Sequence, residues 1–302
     1  MADAVDNVTF VTGDCRVEMA GMEAGSVDLV FGSPPYEDCR TYGIEFAMTG
    51  QDWVDWMVAV VQASLRVCRG LVAFVVEGKT RDFRWSATPA LLMADLHRAG
   101  ICLRKPPLYE RWGISGSGGP DWWRNRYEFV VCATNGGRLP WSENTAMGNP
   151  PKFGVGGAVS NRLQDGGRAN FRRTRESPET KVFRNPEISN PGNVIDCGAV
   201  GGGNIGDELA HENEAPFPEY LAESFVRSFC PPDGTVLDPF SGSGTTVAVA
   251  CKWGRKGIGI DIRQSQTELA AKRIGRALRP ATYQDRSEPQ PGAAPLFEET
   301  KP

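Results

Sequence analysis

Two short stretches hold the residue types that could do chemistry in this chain. The first is Gly32-Ser33-Pro34-Pro35-Tyr36, which ends the apolar run Val27-Asp28-Leu29-Val30-Phe31. It contains no acid, no base and no strong nucleophile. The second is Asp238-Pro239-Phe240-Ser241-Gly242-Ser243-Gly244-Thr245, with Asp261 closing a later apolar run. Gly242 and Gly244 allow a tight turn and close backbone approach to a ligand. An acid roughly 20 residues past such a turn, at the end of the next strand, is placed to accept hydrogen bonds from ribose hydroxyls.

The details of the glycine stretch narrow the ligand. No lysine follows the glycines, so this is not a phosphate-gripping loop. Val247 stands where the dinucleotide fingerprint wants a third Gly or Ala. Asp238 would repel a pyrophosphate and suits a cation, such as the ammonium group of an amino acid. A plain glycine turn with structural acids is the alternative reading.

Other chemistries are excluded or disfavoured by composition. The chain has only two histidines, His97 and His211, and neither lies in a nucleophile setting. His97 reads as the end of an amphipathic helix. The eight cysteines are scattered with no Cys-x-x-Cys pair, so small reduced core residues are expected and no metal site is. The net charge of −4 excludes a globally basic nucleic-acid binder but leaves room for a local basic patch. With 40% hydrophobic and 23% charged residues, the composition is that of an ordinary soluble protein. No apolar run approaches the roughly 18 residues of a membrane span, and "MADAVDNVTF" is unlike a secretory leader. A cytoplasmic protein without membrane contact is expected.

The elements that must position these residues follow from periodicity. Residues 1–137 alternate strands and helices: "VDLVFG" as a strand, "WVDWMVAVVQASLRVC" as a helix, "GLVAFVVEG" as a buried strand, "TPALLMADLHRAG" as a helix. "ICLRKPPLYERWG" and "RYEFVVCATNGG" read as an antiparallel hairpin around a Gly-rich loop, with "KPPL" a bend in a strand. Trp122 and Trp123, in that loop, are expected in the core. Residues 211–279 return to α/β texture, with a helical stripe at Phe217, Leu221, Phe225 and Phe229, then strand, glycine turn, helix and strand. The expected fold is α/β with a mostly parallel sheet.

Between these parts, residues 138–210 are rich in Gly, Pro, Asn and Arg. Arg162, Arg168, Arg172, Arg173, Arg175, Lys181 and Arg184 face only Asp165, Glu176 and Glu179 in one run. This is either a solvated insertion or a surface that meets phosphates. "NPPK" at Asn149–Lys152 reads as a loop. The Pro-rich tail, 280–302, is expected to be disordered, its "QPGAAPLF" included.

Taken together, "SPPY" and "APFPEYLAESFVRSFCPPDGTVLDPFSGSGTTVAVACKWGRKGIGIDI" resemble the amino-group DNA methyltransferases that use S-adenosylmethionine. The motif order, S-P-P-Y first, then a variable basic region, then D-P-F-S-G-S-G-T-T, is similar to the circularly permuted β-group. The likeness covers most of residues 8–279. It implies a Rossmann-like methyltransferase fold, with 1–137 and 211–279 forming one catalytic domain around a target-recognition insertion at 138–210. It also implies S-adenosylmethionine as cofactor, double-stranded DNA as partner and a homodimer by family analogy, and leaves open a companion restriction endonuclease, a solitary enzyme or a phage-borne one.

The resemblance explains the odd first stretch. The target amine donates its lone pair into the base ring and is a poor nucleophile, whereas a sulfonium methyl is an excellent electrophile. The site must then supply geometry and hydrogen-bond acceptors. Ser33 Oγ and the Pro34 carbonyl would accept the two N–H bonds. Pro34 and Pro35 stiffen the loop and remove backbone donors. Tyr36 would stack on a base turned out of the duplex. By the same resemblance, Asp238, Pro239, Phe240, Gly242, Ser243, Gly244 and Thr245 surround the methionine part of the cofactor. Phe217 and Pro218 pack against its end, Asp261 takes the ribose and Asp14 the adenine. The seven basic residues of the insertion would meet DNA, Arg172, Arg173 and Arg175 foremost. Within the family, S-P-P-Y leans to cytosine N4 and D-P-P-Y to adenine N6. An RNA-base or protein-amide methyltransferase would carry its motifs in the opposite order. A DNA-binding module without catalysis would have no reason to keep Ser33, Tyr36, Asp238 and Gly244.

Overall fold

The computed structural model describes residues 7–38, 46–112, 120–151, 159–162, 168–171, 186–199, 209 and 216–277. In chain order the elements are β1 (Val8–Thr12), α1 (Cys15–Gly21), β2 (Val27–Gly32), α2 (Gly50–Val67), β3 (Cys68–Val76), β4 (Thr80–Arg81), β5 (Arg84–Trp85) and α3 (Thr88–Arg98). Then come β6 (Cys102–Arg104), β7 (Leu108–Trp112), β8 (Tyr127–Thr134), β9 (Val159–Arg162), β10 (Arg168–Phe171) and β11 (Val194–Ala199). Last are α4 (Glu219–Phe229), β12 (Thr235–Asp238), α5 (Thr245–Lys252), β13 (Lys256–Asp261) and α6 (Gln264–Ala277).

A nine-stranded sheet runs β1-β13-β12-β2-β3-β8-β7-β11, with β6 also on β8. The pairs from β1 to β3 are parallel, as are β7 and β11; β8 is antiparallel to β3, β6 and β7. Every residue of β2 is buried, as its continuous apolar run requires of a strand covered on both faces. Side chains alternate between two cores. Val30, Val72, Phe74 and Val76 pack with Trp53, Met57, Val60 and Leu92 of α2 and α3. Leu29, Phe31, Leu71, Ala73 and Val75 pack with Leu221, Phe225 and Val249 of α4 and α5. Phe31 and Phe225 stack at 4.5 Å, which seats α4 over β2.

The last strands of the chain, β12 and β13, lie between β1 and β2. Asp28 secures this insertion. Its carboxylate takes both Arg69 Nε (2.7 Å) and Nη2 (2.8 Å) from β3 and the Thr235 N–H (2.9 Å) from β12. The expected hairpin is present as β7 and β8, and Lys105–Pro107 is the break that lets β6 and β7 both pair with β8.

Several features depart from, or add to, the sequence reading. Trp122 and Trp123 are 75% and 82% exposed, not core. They sit in the link before β8, where no helix covers them, and lean on each other at 5.4 Å. Cys102 is exposed too, while Cys15, Cys68, Cys132, Cys197 and Cys230 are buried as free thiols. β11, from within 138–210, joins the main sheet beside β7. Residues 172–185 and 278–302, with Arg172, Arg173, Arg175, Lys181 and Arg184, lie outside the described residues. No helix among the described residues is long and apolar enough to cross a membrane.

The absent third glycine has a structural counterpart. A Cβ on Gly257 of β13 would stand 2.6 Å from Val247 Cγ1, so the small residue that lets strand and helix approach lies on the strand. Gly257→Ala is expected to cost about 1–3 kcal/mol by overpacking. Val247→Ala in the same chain should return most of it, read as the urea midpoint.

Candidate active site

β2 and β12 are neighbours in register, Leu29 opposite Val236 and Val30 opposite Leu237. Their carboxyl ends therefore open side by side, and the two stretches singled out by chemistry share one edge of the sheet. The approach at that edge is tight. A Cβ on Gly32 would fall 2.3 Å from Asp238 Oδ1, so any larger residue before Ser33 must displace the acid.

Ser33-Pro34-Pro35-Tyr36 forms a stiff ledge. Trp53 of α2 donates its indole N–H to the Pro35 carbonyl at 2.9 Å. Among the described residues no donor reaches the Pro34 carbonyl. Ser33 Oγ lies 3.4 Å from both the Val75 carbonyl and Tyr36 Oη, so its proton has acceptors while its lone pairs stay available. The Tyr36 hydroxyl donates to Glu128 Oε2 at 2.7 Å, and Arg111 holds the other Glu128 oxygen. Glu128 is buried, and this pairing explains how a carboxylate is tolerated there. Glu37, the next residue, is buried as well. Burial works against its charge, but hydrogen bonds from Ser86, Gly50, Lys79 and Thr88 outweigh it and hold the carboxyl below its usual range.

The opposite wall is the glycine stretch. Asp238 is fully buried, and desolvation pushes its carboxyl up to about 7, with the charge of Asp261 adding to the rise. It accepts the Phe240 N–H at 3.0 Å. Phe240 packs on Trp56 and Phe74, which anchors the loop over the α2 core. Gly242 and Gly244 have φ of 48° and 78°, the left-handed turns that glycine permits. Asp261 accepts the Gly242 N–H (3.0 Å) and the Arg263 N–H (2.9 Å), so it shapes the loop as well as facing it. Asp14 caps α1 and is joined to this end by the Gly13 N–H on the Asp261 carbonyl, 3.0 Å. Its carboxyl is held below the usual range chiefly by the Arg16 side chain.

Two buried hydroxyls in the loop, Ser241 Oγ and Ser243 Oγ, have no hydrogen-bond partner. Buried polar atoms without partners are costly and point to a ligand that completes them. With the buried Asp238 carboxyl, they fit a small molecule bearing a cationic and several polar groups.

Arg273 is a residue the sequence did not reveal. It is 1% exposed, a buried cation in α6. It donates to Thr245 Oγ1 (2.9 Å) and the Ser243 carbonyl (3.3 Å) in the loop, and to Glu219 (2.8 Å) at the start of α4. One side chain thus fixes the loop against the Phe217-Pro218 segment, whose Phe217 meets Phe31 edge-on at 5.6 Å. Glu128 and Arg111 were missed likewise, being single residues on distant elements, and Glu37 because its partners Gly50, Lys79, Ser86 and Thr88 lie far along the chain. Of the basic residues expected on DNA, Arg162 and Arg168 face each other in register on the β9–β10 hairpin. Among the described residues no group of three or more His, Cys, Asp and Glu is placed to hold a metal.

A Rossmann-like sheet with its C-terminal strands threaded inward, an acid-and-glycine loop, and a proline ledge beside it define a nucleotide-cofactor group-transfer site. A family model described as DNA methylase, the N6/N4 methyltransferases, matches residues 27–272, and the chain belongs to that family. DNA adenine methyltransferase YhdJ of Escherichia coli K12 is 25% identical over 268 residues, 88% of this chain and 82% of the relative. The orphan methyltransferase M.BamHII of Bacillus amyloliquefaciens is 27% identical over 82% of this chain and 89% of its own length. Among solved structures, the cytosine-N4-specific PvuII DNA methyltransferase superposes with a TM-score of 0.64 at 16% identity, covering 90% of this chain and 91% of that one. TTHA0409 of Thermus thermophilus, a putative DNA modification methylase solved with S-adenosylmethionine, gives 0.55 at 22% identity, covering 90% and 96%. The expected family and the α/β fold are thereby established.

Two outcomes test this architecture. The Asp238 carboxyl has a folded value above its ordinary 3.8, so the native state binds the extra proton and stability falls as pH rises from about 4 to about 7. Asp238→Asn should therefore unfold at higher urea than the unchanged protein at pH 8, the gap closing toward pH 5. Arg273→Met should cost about 1–3 kcal/mol, because the Ser243 carbonyl and Thr245 hydroxyl lose their buried donor. Arg273→Lys should recover part of that loss in the same urea titration.

Proposed function

We propose that this DNA amino-methyltransferase moves a methyl group from S-adenosylmethionine to N4 of a cytosine turned out of double-stranded DNA. The observation that carries the reading is the juxtaposition of the Ser33–Tyr36 ledge with the Asp238 loop across the Gly32 contact. When bound, S-adenosylmethionine supplies an electrophilic sulfonium methyl. Asp238, Ser241 and Ser243 would hold its amino-acid end, Asp261 its ribose and Asp14 its adenine. Phe217, Pro218, Pro239, Phe240, Gly242, Gly244 and Thr245 complete the cavity.

The chain's own contribution is positional. Ser33 Oγ and the Pro34 carbonyl accept the two amine N–H bonds, which frees the nitrogen lone pair from the ring. Tyr36 carries the base on its face, its ring fixed by the Glu128–Arg111 pair. The neutral serine in place of an aspartate favours cytosine N4. A second reading, adenine N6, is supported by the identity to the Escherichia coli relative, which is named an adenine methyltransferase.

In this reading residues 138–210 choose the target sequence. The hairpin pair Arg162 and Arg168 and the stretch with Arg172, Arg173, Arg175, Lys181 and Arg184 meet the DNA. A homodimer, a companion restriction endonuclease and a cytoplasmic setting extend the proposal on family analogy alone.

Base-resolved sequencing of DNA from cells expressing the protein should show N4-methylcytosine in one recurring context. N6-methyladenine instead would transfer the reading to adenine, and unmodified DNA would sink both. Ser33→Ala should slow methyl transfer at least tenfold with an unchanged melting temperature, as loss of one aimed hydrogen bond predicts. Tyr36→Ala should do the same, and normal turnover in both variants would contradict the assigned ledge.

A further inference from the structure

β4 and β5 form a small hairpin, Thr80 opposite Trp85 and Arg81 opposite Arg84. Its two turn residues, Asp82 and Phe83, have φ of 47° and 62°. This is the left-handed pair of a tight hairpin turn, a place normally given to Asn-Gly. A bulky aromatic residue is costly there. The core gives nothing back, since Phe83 is 79% exposed. A large ring kept in water on a strained backbone is the mark of a residue with a partner to meet.

The hairpin is fastened to the catalytic ledge. Glu37, directly after Tyr36, accepts the Lys79 N–H (3.3 Å) and Thr88 Oγ1 (3.2 Å). Asp38 pairs with Lys79 (3.3 Å) and with Arg81. Ser86 closes the base with its N–H on the Lys79 carbonyl, 2.9 Å, and its hydroxyl under the Lys79 N–H, 3.0 Å. The tip therefore keeps its register with Ser33 and Tyr36. It stands roughly 10 Å beyond the base at strand rise per residue. Lys79 and Arg81 are engaged by Asp38, which leaves Arg84, beside Phe83, as the cation of the hairpin with no acid partner among the described residues.

We propose that Phe83 is the wedge that enters the DNA base stack and fills the gap left by the everted target, with Arg84 at the flanking phosphate. The inference rests on the DNA methyltransferase reading. An apolar side chain inserted between base steps offsets lost stacking and holds the duplex open. Fixing the wedge to the same segment as the ledge couples filling the gap to presenting the amine. Trp122 and Trp123, exposed before β8, are the rival wedge at the same mouth. Their loop touches this end through the Asn125 side chain on Glu77.

The test uses the full chain and a duplex carrying the context found by sequencing. One version keeps the target base paired and the other sets it opposite an abasic nucleotide. Phe83→Ala should lower single-turnover methylation of the paired duplex at least tenfold and should be restored to within threefold of the unchanged protein on the abasic duplex. Phe83→Leu, still apolar, should retain most activity on both. Phe83→Gly should melt no lower than the unchanged protein, which rules out unfolding as the cause. Undiminished methylation of the paired duplex by Phe83→Ala, or equal loss on both duplexes, overturns the proposal. Selective loss in Trp122→Ala or Trp123→Ala with none in Phe83→Ala overturns it by placing the wedge on the other loop. Failure of the unchanged protein to methylate any DNA would instead fall on the functional reading.

Discussion

The close approach of Gly32 to the Asp238 carboxyl governs the rest of this molecule. It exists because β2 and β12 pair in parallel and both end at the same level. Any side chain at position 32 would push the acid away or lift the serine off its ledge. β2 is wholly buried and β12 nearly so, which leaves the sheet no room to slide and relieve the contact. The backbone geometry of one central pair thus sets how far the Ser33–Tyr36 ledge stands from the Asp238 loop.

On the ledge side of that contact, the groups that would touch the base are neutral, and strong charges lie one layer behind. Glu128 with Arg111 stands behind Tyr36, and Arg273 with Glu219 stands behind Thr245. This distribution suits a reaction that asks for aim more than for proton transfer. Both pairs join different elements, so they also report whether the site is correctly assembled. Asp238 is the exception. Its carboxyl is almost wholly desolvated, with no cation beside it among the described residues.

The sequence was legible wherever a motif was local. Ser33–Tyr36, the loop from Asp238 to Thr245, and Asp261 could be placed at strand ends from periodicity alone, and the helices at 50–67 and 88–98 follow their apolar spacing. What it hid were contacts between distant segments. Tyr36 and Glu128 are 92 residues apart, and Arg273 in a mostly polar helix gives no hint that it turns inward. Trp122 and Trp123 misled because side-chain type suggests burial, whereas burial depends on whether an element covers the position. The choice between cytosine and adenine stayed closed for a related reason: both amines ask the ledge for the same two acceptors.

The threading of β12 and β13 between β1 and β2 has a temporal consequence. Thr12 on β1 meets Thr267 on α6 across 255 positions, and the sheet has no centre until both distant strands arrive. On the ribosome, the amino-terminal half would wait with an open seam, without the Asp238 loop that β12 carries. Such long-range closure makes for slow maturation and exposed edges in the nascent chain. The two walls of the site would therefore meet late, after both distant strands have joined the sheet.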